Sequence, residues 1–254
     1  MKIKKRFNKS NYQKCQDRAV GVLQLPAAPK YLFHGTDEDS AMKSLHEGLL
    51  PRMEKAGNWK QFPSNPKCVY LTNCYGAYFA LSAAFTKGRR MGIIEIKTTS
   101  EMMDNCVPDE DFLEHSTRFG HPYSTEETIE RTKRCQLEMM ELKGKWHESL
   151  IGLGNLCHVG PIDCKWISRV AFLDAEQWRW LLTQSLGFDF RIAVSQHPKN
   201  YPKQRALTKW LFGDHVSFRD MLGEHRPTNA ERRLLMERRG VEVIANTQDL
   251  PLAA

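Results

Sequence analysis

The sequence lacks several features that mark whole classes of protein. It has no Cys-x-x-Cys pair, no apolar run of membrane-spanning length, no internal repeat and no low-complexity tract. Its seven cysteines are odd in number and irregularly spaced, and the Cys157, His158 and Cys164 group has no second group to complete a zinc site. The basic N-terminus has no apolar segment typical of a secretory signal. We therefore expect a reduced, cytoplasmic protein that sits in no membrane and holds no metal.

Positive charge, in contrast, is present in excess. The 37 lysines and arginines outnumber the 30 aspartates and glutamates, which gives a net charge of +7. Residues 1–20 hold seven of the basic residues and one acidic residue, and residues 192–213 hold four basic residues and no acidic one. Because neutralising phosphates releases counterions, this clustering favours contact with nucleic acid. The alternative is a pair of solvated surface patches.

The C-terminal cluster also carries rings among its basic residues, a combination that suits stacking on unpaired bases. The candidate contact residues are Lys199, Tyr201, Lys203, Arg205 and Lys209. In the alternative interpretation, the neighbouring Trp210 and Phe212 are core anchors of a helix.

Hydrophobic patterning predicts an α+β protein with one domain and additions. A basic segment (1–25) precedes a core (26–174), and a mainly helical extension (175–254) follows. Residues 101–123 look acidic and irregular, and the last two predicted strands are expected to pair around a Gly-Pro turn. The predicted strands are 31–34, 68–72, 92–96, 156–162 and 166–173. One predicted helix begins after residue 37, and two more in the core span 73–84 and 124–142. The helices predicted in the extension span 175–186, 203–213 and 228–239.

Two short segments carry the strongest functional signal. The first, Tyr31-Leu-Phe-His34-Gly35-Thr36, is a strand that ends in polar residues, and the second is Cys68-Val-Tyr70-Leu-Thr72. Their order and context resemble the NAD-dependent ADP-ribosyltransferases of the poly(ADP-ribose) polymerase and rifampin ADP-ribosyltransferase branch. In that branch one strand ends in His-Gly-Ser/Thr and a later strand carries a tyrosine. The resemblance covers residues 30–96 well and residues 155–174 loosely, and it implies a split β-sandwich core with peripheral helices.

The resemblance also implies roles for individual residues. His34 would bond a ribose hydroxyl of NAD, and the backbone of Gly35, next to Thr36, would hold the nicotinamide carboxamide. Tyr70 corresponds to the family tyrosine, and a ring from the following helix would stack on nicotinamide. The residue that matches this ring is Phe79, and Tyr78 is the alternative. Gly76 stands where the polymerases have a serine. Packing in the core is the competing explanation for each of these rings.

The third catalytic position is less well marked. Many members of the family carry a glutamate at the start of a later strand, where this sequence has Asn155. An amide can bond a hydroxyl but brings no charge and cannot act as a general base. Glu148, seven residues upstream, is the alternative, and a turn role for Asn155 is a further one. Arg52, in the loop between the two motifs, would meet the NAD pyrophosphate, although a solvated loop charge is the commoner explanation.

The function that this resemblance implies is transfer of ADP-ribose from NAD to a macromolecule. The basic surface favours a nucleic-acid acceptor, and compact enzymes of this kind resemble toxins of toxin–antitoxin and phage-defence systems, which would add an antitoxin partner. NAD is then a substrate, and no metal is expected. The alternatives are a protein-modifying ADP-ribosyltransferase, an RNA 2′-phosphotransferase, and a non-catalytic basic protein that binds RNA or DNA on the same fold.

Overall fold

The computed structural model describes residues 27–52, 64–87, 90–117, 125–186 and 201–246. In these residues the chain forms one seven-stranded antiparallel sheet with helices packed against it. The α+β class predicted from the sequence is therefore confirmed. None of the described helices is long and apolar enough to cross a membrane. The basic segment 1–25 lies outside the described residues.

The sheet has the strand order β4-β5-β2-β1-β3-β6-β7. Its strands are β1 (Tyr31–Asp37), β2 (Cys68–Thr72), β3 (Met91–Lys97), β4 (Cys106–Pro108), β5 (Asn155–Val159), β6 (Ile167–Leu173) and β7 (Val241–Ala245). The helices are α1 (Glu38–Glu47), α2 (Gly76–Lys87), α3 (Ser100–Asp104), α4 (Glu110–Thr117), α5 (Thr125–Met140), α6 (His147–Gly152), α7 (Arg179–Leu186), α8 (Tyr201–Leu211), α9 (Phe218–Leu222) and α10 (Asn229–Glu237).

Alternate residues of each strand enter different cores, as the period of two in a strand requires. Leu32, Leu71 and Ile94 face a core closed by α1, α3 and α6. Their neighbours Phe33 and Ile93 face a second core on the opposite side of the sheet, closed by α2, α7, α8 and α9. On that same side a third, smaller core under α4 and α5 receives alternate residues of β2 and β5, which are Cys68, Tyr70 and Cys157.

The joint between β1 and β2 is the narrowest pairing inside the sheet. These two strands are in register at one position, Phe33 opposite Thr72. In contrast, β1 pairs with β3 along its whole length, from Tyr31–Lys97 to Asp37–Met91, and β2 pairs with β5 at all five of its residues. The sheet is therefore divided into two well-paired parts, and we call the stretch of β1 and β2 beside the Phe33–Thr72 pair the seam.

Helix α2 is pressed directly onto the strand that borders the seam. A Cβ atom on Gly35 would lie 2.3 Å from both the Ala80 nitrogen and the Gly76 oxygen. A Cβ atom on Gly76 would in turn contact the side chains of Phe33 and Ile93. Glycine is required at position 35 because the backbone of α2 occupies the volume that any side chain would need.

A buried ion pair joins β3, β6 and the end of α8 on the same side of the sheet. Glu95 is 2% exposed, and its two oxygens accept bonds of 2.8 and 2.7 Å from Nε and Nη2 of Arg169. Nη1 of Arg169 donates to the Phe212 carbonyl at 3.0 Å. The Phe212 ring stacks on Phe33 with 5.6 Å between ring centres. Both oxygens of the buried carboxylate thus accept a bond from a cation, which offsets the cost of burying the charge.

Two expectations from the sequence were wrong. The strands predicted at 156–162 and 166–173 do not pair with each other, because β5 lies between β4 and β2 while β6 lies between β3 and β7. Residues 101–123 are not irregular throughout, since they contain α3, β4 and α4. These elements are too short to produce a period, and Thr99 holds α3 in place by capping it.

The region after residue 174 contributes to the same sheet. Alongside its helices it carries β7, which pairs with β6 from Leu173–Val241 to Arg169–Ala245. Trp178, fully buried, donates its indole N–H to the Arg239 carbonyl at 2.8 Å. The extension is thus part of the sheet, paired with β6 at the edge on the β3 side.

We predict that Gly35→Ala lowers the free energy of unfolding by roughly 3 kcal/mol or more, because the new methyl group would meet the backbone of α2. Denaturation in urea measures the change. Gly144→Ala is the matched control, since φ is +75° there and no atom lies within 4 Å of an added Cβ among the described residues. That variant should lose only about 1 kcal/mol from the left-handed backbone. Equal losses in both variants would mean that the α2 contact is not the cause.

Candidate active site

His34 and Tyr70 meet directly at the seam. Nδ1 of His34 lies 2.8 Å from the Tyr70 carbonyl oxygen. A carbonyl can only accept, so Nδ1 carries the proton and Nε2 is left with a free lone pair. Burial lowers the pKa of His34, the bond to Tyr70 opposes that shift, and the nearby Arg52 guanidinium lowers the pKa further. The half-buried imidazole is therefore a neutral acceptor.

The Tyr70 side chain extends into the small core under α4 and α5. Its hydroxyl donates to Oε1 of Glu110 and accepts the Asn65 amide at 2.6 Å. Burial, with added contributions from the Cys157 thiol and the carboxyls of Glu110 and Asp109, raises the pKa of Tyr70 well above its usual value. The phenol therefore remains protonated and works as a fixed donor to Glu110.

Glu110 is the buried carboxyl of this group, with 4% of its surface exposed. Besides Tyr70, the Gln136 amide donates to Oε1 at 3.4 Å, and the Cys157 thiol lies 3.9 Å from Oε2. Burial raises the pKa of Glu110 to about 7, the charge of Asp111 adds to the shift, and the bond from Tyr70 opposes it. The carboxyl is thus poised to exchange a proton near neutral pH.

Asp109 and Ser149 fix the strand end that delivers Glu110. The Asp109 side chain accepts the Asp111 amide at 2.9 Å and so caps the first turn of α4. The Asp109 amide donates to the Ser149 hydroxyl at 3.0 Å, and that hydroxyl donates to the Asn155 carbonyl at 2.8 Å. The start of α4, which carries Glu110, is therefore bonded to the start of β5, which carries Asn155.

Asn155 lies opposite Thr72, which is itself opposite Phe33, so one row of residues crosses the sheet at the seam. The Asn155 side chain is 4% exposed, and its amide oxygen has no hydrogen-bond partner within the described part of the chain. The same is true of the amide oxygen of Asn73, which lies 3.4 Å from where a Cβ of Gly154 would be. Two buried acceptors without a donor are costly to leave unpaired.

The other residues that the resemblance selects lie around this row with different surroundings. The Cα of Gly35 is covered by α2, and Thr36 is buried with its hydroxyl 3.4 Å from the Asp37 carboxyl. Tyr78 is buried and Phe79 half-buried, with 5.3 Å between their ring centres. Phe79 is therefore the more accessible of the two rings that were candidates for stacking.

Glu148 is separate from the His34–Tyr70 contact. It lies on α6, half-buried, and makes no hydrogen bond or ion pair with any described residue. Burial raises the pKa of Glu148, and the charge of Lys145 opposes that change. Between the two candidates for the third position, Asn155 is the one in register with the seam.

Sequence reasoning missed Glu110, the carboxyl that Tyr70 contacts. The available signal was the run Pro108-Asp109-Glu110-Asp111 directly after the apolar Cys106-Val107. Polar residues that follow a buried strand are a usual place for function. The irregular appearance of the surrounding segment conceals this signal.

Of the residues predicted to contact nucleic acid, Arg205 and Lys209 are exposed on α8 and Lys203 is half-buried. Tyr201 begins that helix, and Lys199 lies outside the described residues. Trp210 and Phe212 are both 5% exposed and belong to the core on that side of the sheet. The alternative interpretation of these two rings is therefore the correct one.

The metal ligands that could be imagined from Cys157, His158 and Cys164 do not form a centre. No group of three or more potential ligands is found among the described residues. Cys157 and His158 are adjacent residues of β5 whose side chains enter opposite faces of the sheet, and His158 packs edge-on to Trp166.

Comparison with known proteins gives no further guide: no model of a protein family matches the sequence, and no curated protein matches it. The functional interpretation of the seam therefore depends on its own geometry and on the resemblance of the two motifs.

We predict that the stability of the protein falls as pH rises through about 7, because Glu110 binds its proton more tightly in the folded chain than in the unfolded chain, where its usual pKa is 4.5. The contribution is complete below pH 4.5 and is lost above pH 7. Glu110→Gln should remove much of this slope and be the more stable protein at pH 8, by on the order of 3 kcal/mol.

Urea denaturation at pH 5, 6, 7 and 8 measures that slope in both proteins. Glu138→Gln, on the exposed side of α5, is the matched control and should retain the wild-type slope. The interpretation of Glu110 fails if the slopes of all three proteins agree.

Proposed function

We propose that the chain is an NAD-dependent mono-ADP-ribosyltransferase whose acceptor is nucleic acid. The observation that carries the proposal is the hydrogen bond between the His34 imidazole and the backbone carbonyl of Tyr70 at the seam. These are the two residues that the motif resemblance selects, they come from different strands, and the sheet pairs these strands at one position only. The specific ADP-ribosyltransferase fold is part of this proposal.

The polar groups at the seam suit the parts of NAD that need to be held. Nε2 of His34 is a neutral acceptor for a ribose hydroxyl. The unpartnered amide oxygens of Asn155 and Asn73 need donors, and the carboxamide N–H groups of nicotinamide and the ribose hydroxyls are donors of the required kind. The half-buried ring of Phe79, on α2, offers a stacking surface.

The reaction itself needs negative charge or lone pairs, since the ribose carbon becomes cation-like as the bond to nicotinamide breaks. Asn155 brings no charge. Glu110 can supply one through Tyr70: when it is ionised, the carboxylate accepts a charge-assisted bond from the phenol and increases the electron density on the phenol oxygen. We therefore assign the acidic member of the site to Glu110, acting through Tyr70, and assign Asn155 to binding.

The nucleic-acid acceptor is favoured by the excess of positive charge and by the exposed Arg205 and Lys209 of α8. A protein of this activity fits the role of a toxin in a toxin–antitoxin or phage-defence system, with an antitoxin as partner. The runner-up is a basic RNA- or DNA-binding protein without catalysis. The observation that favours it is that the Tyr70 hydroxyl is already bonded to both Asn65 and Glu110.

The test of the activity is incubation with NAD labelled in its adenylate part, in the presence of separate pools of RNA, DNA and protein. We expect label in one of the two nucleic-acid pools together with release of nicotinamide. Label in protein would instead identify a protein-modifying enzyme, and nicotinamide release without transfer would identify a hydrolase. Salt-sensitive binding of nucleic acid with no turnover of NAD would establish the runner-up.

The residue assignments are tested by His34→Ala, Tyr70→Phe and Asn155→Ala. We expect kcat/KM for NAD to fall by about 100-fold or more in the first two, because His34→Ala loses the acceptor proposed for the ribose hydroxyl and Tyr70→Phe breaks the link to Glu110. Tyr31→Phe, a half-buried tyrosine at the start of β1, is the control and should remain fully active. Wild-type turnover in both His34→Ala and Tyr70→Phe would falsify the site. Glu148→Ala should behave as the control does, and inactivity in it alone would reverse the choice of Asn155.

The involvement of Glu110 predicts a pH dependence of activity. Since only the ionised carboxyl accepts a charge-assisted bond from the Tyr70 phenol, kcat should fall as pH drops through about 7. A pH–rate profile of wild type and Glu110→Gln measures this. Glu110→Gln should be slow at every pH and should have lost the inflection near 7, whereas an inflection that persists would assign the titration to another group.

A further inference from the structure

A cavity far along the chain from the seam residues has arginines at three of its eight lining positions. It has a volume of about 570 Å³ and lies between α9 and α10. Its lining includes Arg219, His225, Arg226 and Arg232, together with the ring of Phe218. A volume of this size accommodates a nucleotide. We call it the basic pocket.

A fifth basic side chain reaches the basic pocket from α8. The Gly223 backbone lines the cavity, and Nζ of Lys203 lies 2.7 Å from the position that a Cβ on Gly223 would take. Lys203 was selected from the sequence as a nucleic-acid contact, whereas the three arginines were not. The pocket therefore brings together basic residues from α8, α9, α10 and the loop between the last two.

The charges of the pocket are only partly compensated. Glu224 lines it as well, and Glu231 lies nearby, with Oε2 3.7 Å from Nε2 of His225. Glu231 already accepts the Thr228 amide at 2.6 Å as part of the helix cap of α10. Among the described residues, neither Arg219 nor Arg226 forms an ion pair or a side-chain hydrogen bond. Two guanidinium groups are thus available for an anion.

The backbone around the pocket is fixed on both sides. Ser217 caps α9, accepting the Asp220 amide at 3.1 Å, and Met221 and Leu222 are buried in the core that also receives Trp210. Thr228 and Glu231 form a reciprocal cap at the start of α10. Because both flanking helices are capped and packed, the arginines are presented from a preformed frame, which reduces the entropy lost on binding.

We propose that the basic pocket binds a phosphate group of single-stranded nucleic acid. Guanidinium groups match phosphate oxygens in bidentate geometry, and the half-buried Phe218 ring offers a face on which an adjoining base can stack. The pocket thus deepens the proposed function by supplying an anchoring site for the acceptor strand. It rests on that function only for the role of the bound strand, since the binding itself does not require NAD.

The experiment measures dissociation constants for fluorescent single-stranded RNA, single-stranded DNA and duplex DNA of the same sequence by anisotropy across a series of salt concentrations. The variant is the Arg219→Gln/Arg226→Gln pair. The control is Arg134→Gln/Arg233→Gln, which removes the same charge from exposed arginines, one of which adjoins Arg232 on α10.

We expect the pocket variant to bind single strands at least about 10-fold more weakly near 0.1 M salt, and to lose about 1.4 from the slope of log K against log salt, as for two phosphate contacts on a single strand. The control pair should remain close to wild type. Weaker binding of single-stranded RNA, single-stranded DNA or both supports the proposal, and the nucleic acid whose binding weakens identifies the source of the phosphate. Arg226→Gln alone repeats the test if the double variant fails to fold.

Several results would overturn the proposal. They are absence of single-strand binding by wild type, equal weakening in the control pair, and weakening confined to the duplex. A raised KM for NAD with unchanged oligonucleotide affinity would also overturn it and assign the pocket to the NAD pyrophosphate. If wild type releases no nicotinamide from NAD, the proposed catalysis fails, while the comparison of dissociation constants still decides the pocket.

Discussion

The hydrogen bond from the His34 imidazole to the Tyr70 carbonyl bridges two strands that are otherwise in register only at Phe33 and Thr72. A continuous ladder at this position would use every backbone group and leave no polar surface for a ligand. The open joint costs pairing energy in the centre of the sheet, and close packing elsewhere offsets that cost. The seven-residue pairing of β1 with β3 and the pressing of α2 onto Gly35 fix one side of the seam, and β5 fixes the other.

Much of the fold follows from local pattern. The bounds of β2 match the predicted strand at both ends, and β3 extends the predicted 92–96 by one residue at each end. Strand β1 begins at the predicted residue but continues to Asp37, through the Gly35 at which the sequence predicted its end. The parts that could not be predicted are those whose stability is tertiary. Strand β4 has three residues and forms because β5 offers it an edge, and α4 begins where Asp109 caps its first turn. No periodic signal accompanies elements of that length.

In the candidate site, too, some residues could be selected from the sequence and others depend on tertiary packing. His34 and Tyr70 could be selected from the sequence, because the residue types and their order resemble a known family. Glu110 could not, since it is 40 residues from Tyr70 and its importance depends on burial, which only the packing of α4 and α5 creates. The same carboxyl on a solvated helix would have an ordinary pKa and no special role. Asn155 carries no charge, but the fold still links an acidic group, Glu110, to the seam through Tyr70. Motif matching does not reveal this link.

The basic pocket and the seam belong to one structural unit, and this bears on how an acceptor could be used. Met221 and Leu222 of α9 enter the same core as the partly buried Phe33 and Phe79, and Arg169 ties the end of α8 to Glu95 of β3. A strand held at the pocket would thus be held by the body that carries His34. Rigid attachment of a binding site to a reactive site raises the effective concentration of the acceptor. Phosphate contacts carry no base information. Under the proposed function, the arginines would therefore set affinity, and the choice of the modified atom would be made at the seam.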